Sequence, residues 1–245
     1  MRILRSRGRR AKPEALQELA KTVLGYYREH GRHHLPWRKT RDPYKILVSE
    51  MMLQQTQVDR VIPKYLAFVK KYPTARKLAQ APLSDVLVLW SGLGYNRRAK
   101  YLWEAARGGT KGIGPYTKAA VAVFAENKPE VLIETNIRAV YIHHLFPNRA
   151  KVSDAELIPY ITVPKGVEPK VWYAALMDYG SYLKKMHPNP SRRSKHHTVQ
   201  KKFKGSDREI RGAILRARLK GARVTGFPQE RVSALTKKLK EEGLI

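Results

Sequence analysis

The sequence predicts an all-α protein, and three observations carry that prediction. Apolar residues recur at three- and four-residue spacing along most of the chain. Capping and first-turn proline signals precede those stretches. Alternating apolar–polar strand patterns are scarce, and no internal repeat of solenoid period is visible.

The elements follow in order. Pro13 opens a stretch with Leu16, Leu19, Val23, Leu24 and Tyr27 at helical spacing. Asp42-Pro43 is an N-cap followed by a first-turn proline, with Tyr44, Leu47, Val48 and Met51 behind it. Thr74 and Ser84 stand where later helices start. A helix over 116–125 follows Gly112-Ile113-Gly114. Ser153 with Glu156, and Ser206 with Glu209, match a capping box. Glu168-Pro169 opens a helix carrying Trp172, Tyr173, Leu176, Met177 and Leu183.

Two shifts in composition suggest boundaries. Residues 184–204 hold eight Lys/Arg, three His, two prolines and no acid, which predicts a basic surface connector. Beyond Gly205, helices are expected over 207–219 and 228–242, with Ile210, Ile214, Val232, Leu235 and Leu239 as the facing stripe. A winged-helix-like appendage and a plain hairpin packed on the main body both fit this pattern.

The chain has 245 residues and 42% apolar composition, ordinary for a globular protein. Its charge is not ordinary: 49 Lys and Arg stand against 20 Asp and Glu, leaving +29. A field of that sign recruits polyanions and disfavours a small-molecule enzyme with no nucleic-acid partner. Six of the first twelve residues are basic and none is acidic, the composition of an arm along phosphates. There is no cysteine, so disulfides, thiolate nucleophiles and iron–sulfur clusters are excluded. The clean apolar run at 119–125 is far too short to span a bilayer. The paired histidines 33–34, 143–144 and 196–197 read as polar surface groups, because helix neighbours do not face one site.

The chemistry-bearing segments lie in a fixed order. They are Leu35-Pro36-Trp37-Arg38, Ser49-Glu50-Met51-Met52-Leu53-Gln54-Gln55-Thr56-Gln57-Val58, Gly92-Leu93-Gly94-Tyr95, Gly112-Ile113-Gly114-Pro115-Tyr116-Thr117 and Glu134-Thr135-Asn136. Glycines flanking Ile113 before a helix let backbone N–H groups approach a phosphate. Glu50 lies between Leu47 and Leu53 on an apolar helix, a setting that raises a carboxyl pKa and suits a general acid.

Across 35–138 this order resembles the helix-hairpin-helix DNA glycosylases, most closely those of the MutY adenine type. The resemblance implies a two-lobed glycosylase fold. Residues 36–138 would form one lobe, 1–35 with 139–204 the other, and 205–245 a small helical appendage. It implies a monofunctional glycosylase that hydrolyses the bond to a flipped mispaired base, adenine opposite guanine or 8-oxoguanine. Glu50 would protonate the purine. Glu134, where the family usually has aspartate, would stabilise the sugar cation near the cleft between lobes, with about 1.5 Å of extra reach. Asn136 is expected to cap a helix beginning at Ile137 and, with Tyr116, to position the sugar or water. Related lyases carry a Schiff-base lysine at the place of Tyr116, and Lys118 is about 200° around the helix from it. Gln54, Gln55 and Tyr95 match residues that fill the gap left by the extruded base. Gly112, Ile113, Gly114 and Thr117 would grip DNA at the hairpin.

The resemblance further implies duplex DNA as partner, a monomer, no membrane, and an intracellular, nucleoid-associated place in the cytoplasm. It is compatible with a monovalent cation at the hairpin and with no iron–sulfur cluster. Three departures stand out. The region where many relatives hold that cluster reads Lys184-Lys185-Met186-His187-Pro188-Asn189-Pro190. The segment from Tyr95 to Gly112 is short by roughly one helix. The residues after Gly205 are too few for the module that reads 8-oxoguanine in longer relatives. Two alternatives stay open at this level: excision of thymine or uracil opposite guanine, and a non-catalytic DNA-binding protein on a glycosylase scaffold.

Overall fold

The computed structural model describes residues 13–200 and 202–245. The arm expected over 1–12 lies outside them. The described residues form twelve α-helices: α1 (Pro13–His30), α2 (Pro43–Leu53), α3 (Val58–Lys71), α4 (Ala75–Ala79), α5 (Leu83–Trp90), α6 (Arg97–Ala106), α7 (Pro115–Glu126), α8 (Thr135–Leu145), α9 (Asp154–Leu157), α10 (Pro169–Met186), α11 (Asp207–Leu219) and α12 (Gln229–Glu241). Among the described residues the extended pairing is one parallel bridge, Val152 with Ser194. None of these helices is long and apolar enough to cross a membrane.

Local chemistry sets most of the helix starts. Asp42 accepts from Tyr44 N at 2.9 Å, with Pro43 pre-set for the first turn of α2. Thr74 caps α4, accepting from Lys77 N. The Glu156 carboxylate takes both Ser153 N and Ser153 Oγ at the start of α9. Two starts differ from expectation. Pro82, not Ser84, precedes α5. Glu209 reaches past Ser206 to Gly205 N at 2.6 Å, while Ser206 Oγ turns to Phe203 O, so no capping box forms.

The chain divides into two units. The larger comprises His34–Glu126 with Val199–Ile245, and the smaller the stretch up to His33 with Asn127–Thr198. This moves both expected boundaries. Asn127 already belongs to the smaller unit, because its Oδ1 accepts from Lys170 N and Leu132 N donates to Tyr173 Oη. The C-terminal helices are not an appendage. Ile210, Ile214, Leu215, Val232, Leu235, Leu239 and Leu244 are buried in one core with Met51, Met52, Phe68, Trp90 and Leu102. Lys100 Nζ also donates to Glu242 O, and Arg97 and Arg211 pair with the Glu242 carboxylate. Burial opposes ionisation of Glu242, yet the two arginines outweigh it and hold its carboxyl below the usual range.

Inside the larger unit, Arg98 ties two loops together. It is 6% exposed. Its Nη1 donates to Met51 O, Met52 O and Gln54 O, at 2.8, 3.0 and 2.5 Å. Its Nη2 donates to Leu93 O, Gly94 O and Thr56 Oγ1. The partners Met51, Met52 and Gln54 are carbonyls at the C-terminal end of α2, the negative end of the helix dipole. Burial pushes the guanidinium down to about 10, with Tyr95 acting in the other direction, so it stays charged at neutral pH.

In the smaller unit, α1 packs on α10 and α10 on α8. Asp178, 3% exposed, accepts from Arg32 N and Arg32 Nε at 2.7 and 2.6 Å. Gly180 lets α10 approach α8 closely, since a Cβ there would lie 2.2 Å from Asn136 O. The expected basic connector is partly core: Pro190, Ser191 and Ser194 are buried. Arg193 donates to Ile142 O, Phe146 O, Pro147 O and Arg149 O, which closes the end of α8. Basic composition masked this role, because the cation's partners are carbonyls rather than solvent.

Two outcomes are expected. Leu239→Ala should destabilise the larger unit as a whole by about 2–5 kcal/mol. Urea unfolding followed by tryptophan fluorescence checks this, and a separate early transition of α11 and α12 would contradict a shared core. Arg98→Met should cost about 3 kcal/mol or more, because several buried carbonyls lose a charged donor. The same titration measures it.

Candidate functional site

Leu47, Glu50, Leu53 and Gln54 lie three and four residues apart, on one stripe of α2. That stripe is half-buried, whereas Val48, Ser49, Met51 and Met52 beside it are fully buried. Glu50 is therefore held by a helix that is anchored on its other faces and keeps partial access to solvent. Leu47, three residues before it, lines a cavity of about 380 Å³ with Tyr44, Leu102, Ala105, Ile113 and Val121.

The glycine turn adjoins this cavity. Gly112 has φ +77°, and a Cβ there would fall 2.1 Å from the Tyr101 ring. Only glycine meets both demands. Ile113 N donates to Thr110 O to close the turn, and its side chain lines the cavity. A Cβ at Gly114 would meet nothing within 4 Å, so the turn has one open face just before α7 begins at Pro115. Between Tyr95 and Gly112 the chain forms one α-helix, α6, followed by the turn.

From the turn, α7 runs against α2. Tyr116 is half-buried at its start. Thr117 does not stand at the surface expected of a phosphate ligand. It is 3% exposed, with Oγ1 3.5 Å from Gln54 Nε2. Gln54 turns inward in the same way, its Nε2 3.7 Å from Met51 Sδ. Helix packing claims both side chains. Lys118 is exposed along the cavity rim.

Glu134 lies in the smaller unit and corrects one expectation. Helix α8 begins at Thr135, and Glu134, not Asn136, is its N-cap. Glu134 Oε1 accepts from Asn136 N and Ile137 N at 2.8 and 3.0 Å, and Oε2 from Asn136 Nδ2 at 3.2 Å. Asn136 Oδ1 is buried with no hydrogen-bond partner among the described residues. Burial pushes the nearby Lys184 ammonium below the usual lysine range, and Glu134 partly offsets this.

Gln55 and Tyr95 stay at the surface, as a gap-filling role requires. Gly92 and Gly94 flank Leu93 at φ +96° and +72°, which turns the chain sharply before Tyr95. Sequence reasoning missed Arg98. Its signal was available, since Arg98 lies four residues before Leu102 on the apolar stripe of α6. His143 and His144 are not plain surface groups. His144 Nε2 lies 3.0 Å from Tyr179 Oη, and burial, then His143, pulls its pKa down to about 4. Among the described residues no three His, Cys, Asp or Glu gather as metal ligands.

Comparison with known proteins agrees with this arrangement. Residues 48–159 match the HhH-GPD superfamily base excision DNA repair protein family, and every candidate site residue lies inside that span. Adenine DNA glycosylase of Mycolicibacterium smegmatis is 36% identical over 180 residues, 65% of this chain and 61% of the relative. That of Buchnera aphidicola subsp. Baizongia pistaciae is 38% identical over 140 residues, 50% of this chain and 40% of the relative. The chain thus spans between two fifths and three fifths of the length of these relatives. A solved thermostable thymine-DNA glycosylase superposes with TM-score 0.58 at 27% identity, covering 69% of this chain and 87% of the other. Residues 48–159 and the helical architecture are thus similar to those of HhH-GPD superfamily base excision DNA repair proteins.

Proposed function

We propose that this chain is a monofunctional DNA glycosylase that excises a flipped, mispaired base, adenine opposite guanine or 8-oxoguanine. The observation that carries the reading is the half-buried Glu50 on α2, which packs against the helix that follows the Gly112–Gly114 turn, in a chain of net charge +29. The adenine assignment follows the names of the curated relatives.

The chemistry runs as follows. Cationic side chains hold the phosphates, and backbone amides at the open face of the glycine turn take one of them. The base leaves the stack. Glu50 gives its proton to a purine ring nitrogen, so the C1′–N9 bonding pair departs with a neutral base. The sugar becomes cationic at C1′, and a carboxylate offsets that charge. Glu134 is the proposed carboxylate, with Asn136 as its positioning residue through the amide contact to Oε2. Water adds to C1′ and gives its proton to the ionised Glu50 carboxylate, which restores the acid and leaves an abasic site.

Tyr116 occupies the position from which a lysine would attack the sugar in a lyase. A phenol cannot form an imine, so hydrolysis is the expected outcome.

Excision of thymine opposite guanine is the second reading, favoured by the name of the structural neighbour. Duplexes carrying adenine, thymine or uracil opposite guanine, and adenine opposite 8-oxoguanine, separate the two by which base is released. Binding with no release from any of them would point to a non-catalytic scaffold.

Glu50→Gln should slow base release by at least about a hundredfold while duplex affinity holds. Release at the wild-type rate in a single-turnover assay would remove Glu50 from the chemistry. Borohydride added during turnover should trap no covalent protein–DNA adduct, and a robust adduct on a denaturing gel would move the chain to the lyase class.

A further inference from the structure

Gln55 and Tyr95 hold positive φ values of 54° and 47°, unusual for non-glycine residues. Such a backbone is strained and persists where its surroundings fix it. Arg98 supplies that restraint, with bonds to Gln54 O, Leu93 O and Gly94 O beside both residues. The strained turns present a shared polar head that extends into the C-terminal part of the larger unit. Tyr95 Oη accepts from Gln200 Nε2 at 2.5 Å and from Arg208 Nη1 at 2.8 Å. Gln200 Nε2 also lies 3.3 Å from Gln55 Oε1. The Arg208 guanidinium sits over the Tyr95 ring at 5.6 Å and the Phe203 ring at 5.9 Å. Tyr95 is 37% exposed and Phe203 58% exposed, large aromatic faces left at the surface.

We propose that Arg208, oriented by Tyr95 and Gln200, reads guanine on the strand opposite the excised base. The inference rests on the proposed glycosylase function and names the residue that recognises the opposite base. A guanidinium has five N–H donors and no acceptor. Guanine offers two adjacent acceptors, O6 and N7, which match paired parallel N–H groups. Adenine offers one acceptor and one donor on that edge, and the pyrimidines offer a single polar group, so none is matched by a donor-only fork. The Tyr95 hydroxyl fixes one nitrogen of the fork, and the ring beneath holds its plane. Exposed Phe203 and Tyr95 provide faces on which an unpaired base stacks. Gln200, Phe203 and Arg208 lie outside the family-matched span of 48–159, so this reading head belongs to the chain's own C-terminal part.

The test is fluorescence anisotropy of the full chain on short duplexes with a stable abasic-site analogue opposite guanine, adenine, cytosine or thymine. The analogue has no base to release, so the measurement is independent of catalysis. Wild type should bind the guanine duplex about tenfold more tightly than the others. Arg208→Ala should abolish that preference. Arg208→Lys should keep overall affinity, because the charge remains, and still lose the preference, because an ammonium cannot make the paired bonds. Equal affinity of wild type for all four duplexes would overturn the proposal. So would a preference retained by both variants, or a uniform loss across all four duplexes in Arg208→Lys. Guanine preference in a chain that releases no base would refute the proposed activity and leave the reading head standing. Base release without guanine preference would do the reverse.

Discussion

A buried cation surrounded by carbonyl oxygens organises the larger unit. Arg98 joins the end of α2 to the Gly92–Gly94 turn, and through them it holds Gln54, Gln55 and Tyr95 in one frame. Among the described residues its hydrogen-bond partners are backbone carbonyls and the Thr56 hydroxyl. The charge is offset by oriented dipoles, several of them at the terminus of a helix whose own field favours a cation. Glu50 stands on that same helix, so the position of the proposed acid depends on the same anchor.

This arrangement suits a chain with 49 cationic and 20 anionic side chains. One-to-one pairing leaves a large surplus of cations, which must meet solvent, phosphate or backbone. Arg98 and Arg193 take the third course, each closing the end of a helix with several N–H donors. Arg32 with Asp178 and Arg138 with Asp154 take ordinary pairing. Several acids are thus engaged in caps and ion pairs, and the surplus of cations sustains the positive field that draws in a polyanion.

The helices were legible because their signals are local. Asp42-Pro43, Thr74 and Ser153 with Glu156 lie within a few residues of the helices they start. The division into units was less legible, since it rests on non-local bonds such as Lys170 N to Asn127. The same holds within the site. Glu50 could be placed by its motif and apolar neighbours, and the Gly112 turn by its glycines. The inward turn of Thr117 and Gln54 depends on how α2 meets α7, which no local pattern encodes. Glu134 as a cap was half visible: a carboxylate before a helix is a common signal, but the usual capping residues are Ser, Thr, Asp and Asn, not glutamate. Arg208 meets a partner 113 residues away, and nothing in its neighbourhood announces that contact.

The makeup of the Arg98 joint also bears on how the protein behaves as its surroundings change. Phosphate contacts weaken steeply as salt rises, because counterions compete for the same charges. The joint is buried and bonded to uncharged oxygens, so salt has little to screen and acid has no carboxylate there to neutralise. For the proposed glycosylase, ionic strength would then govern how long the chain stays on a duplex, while the shape it offers to the bases stays the same. Residence and recognition are in this way assigned to different physics within one small domain.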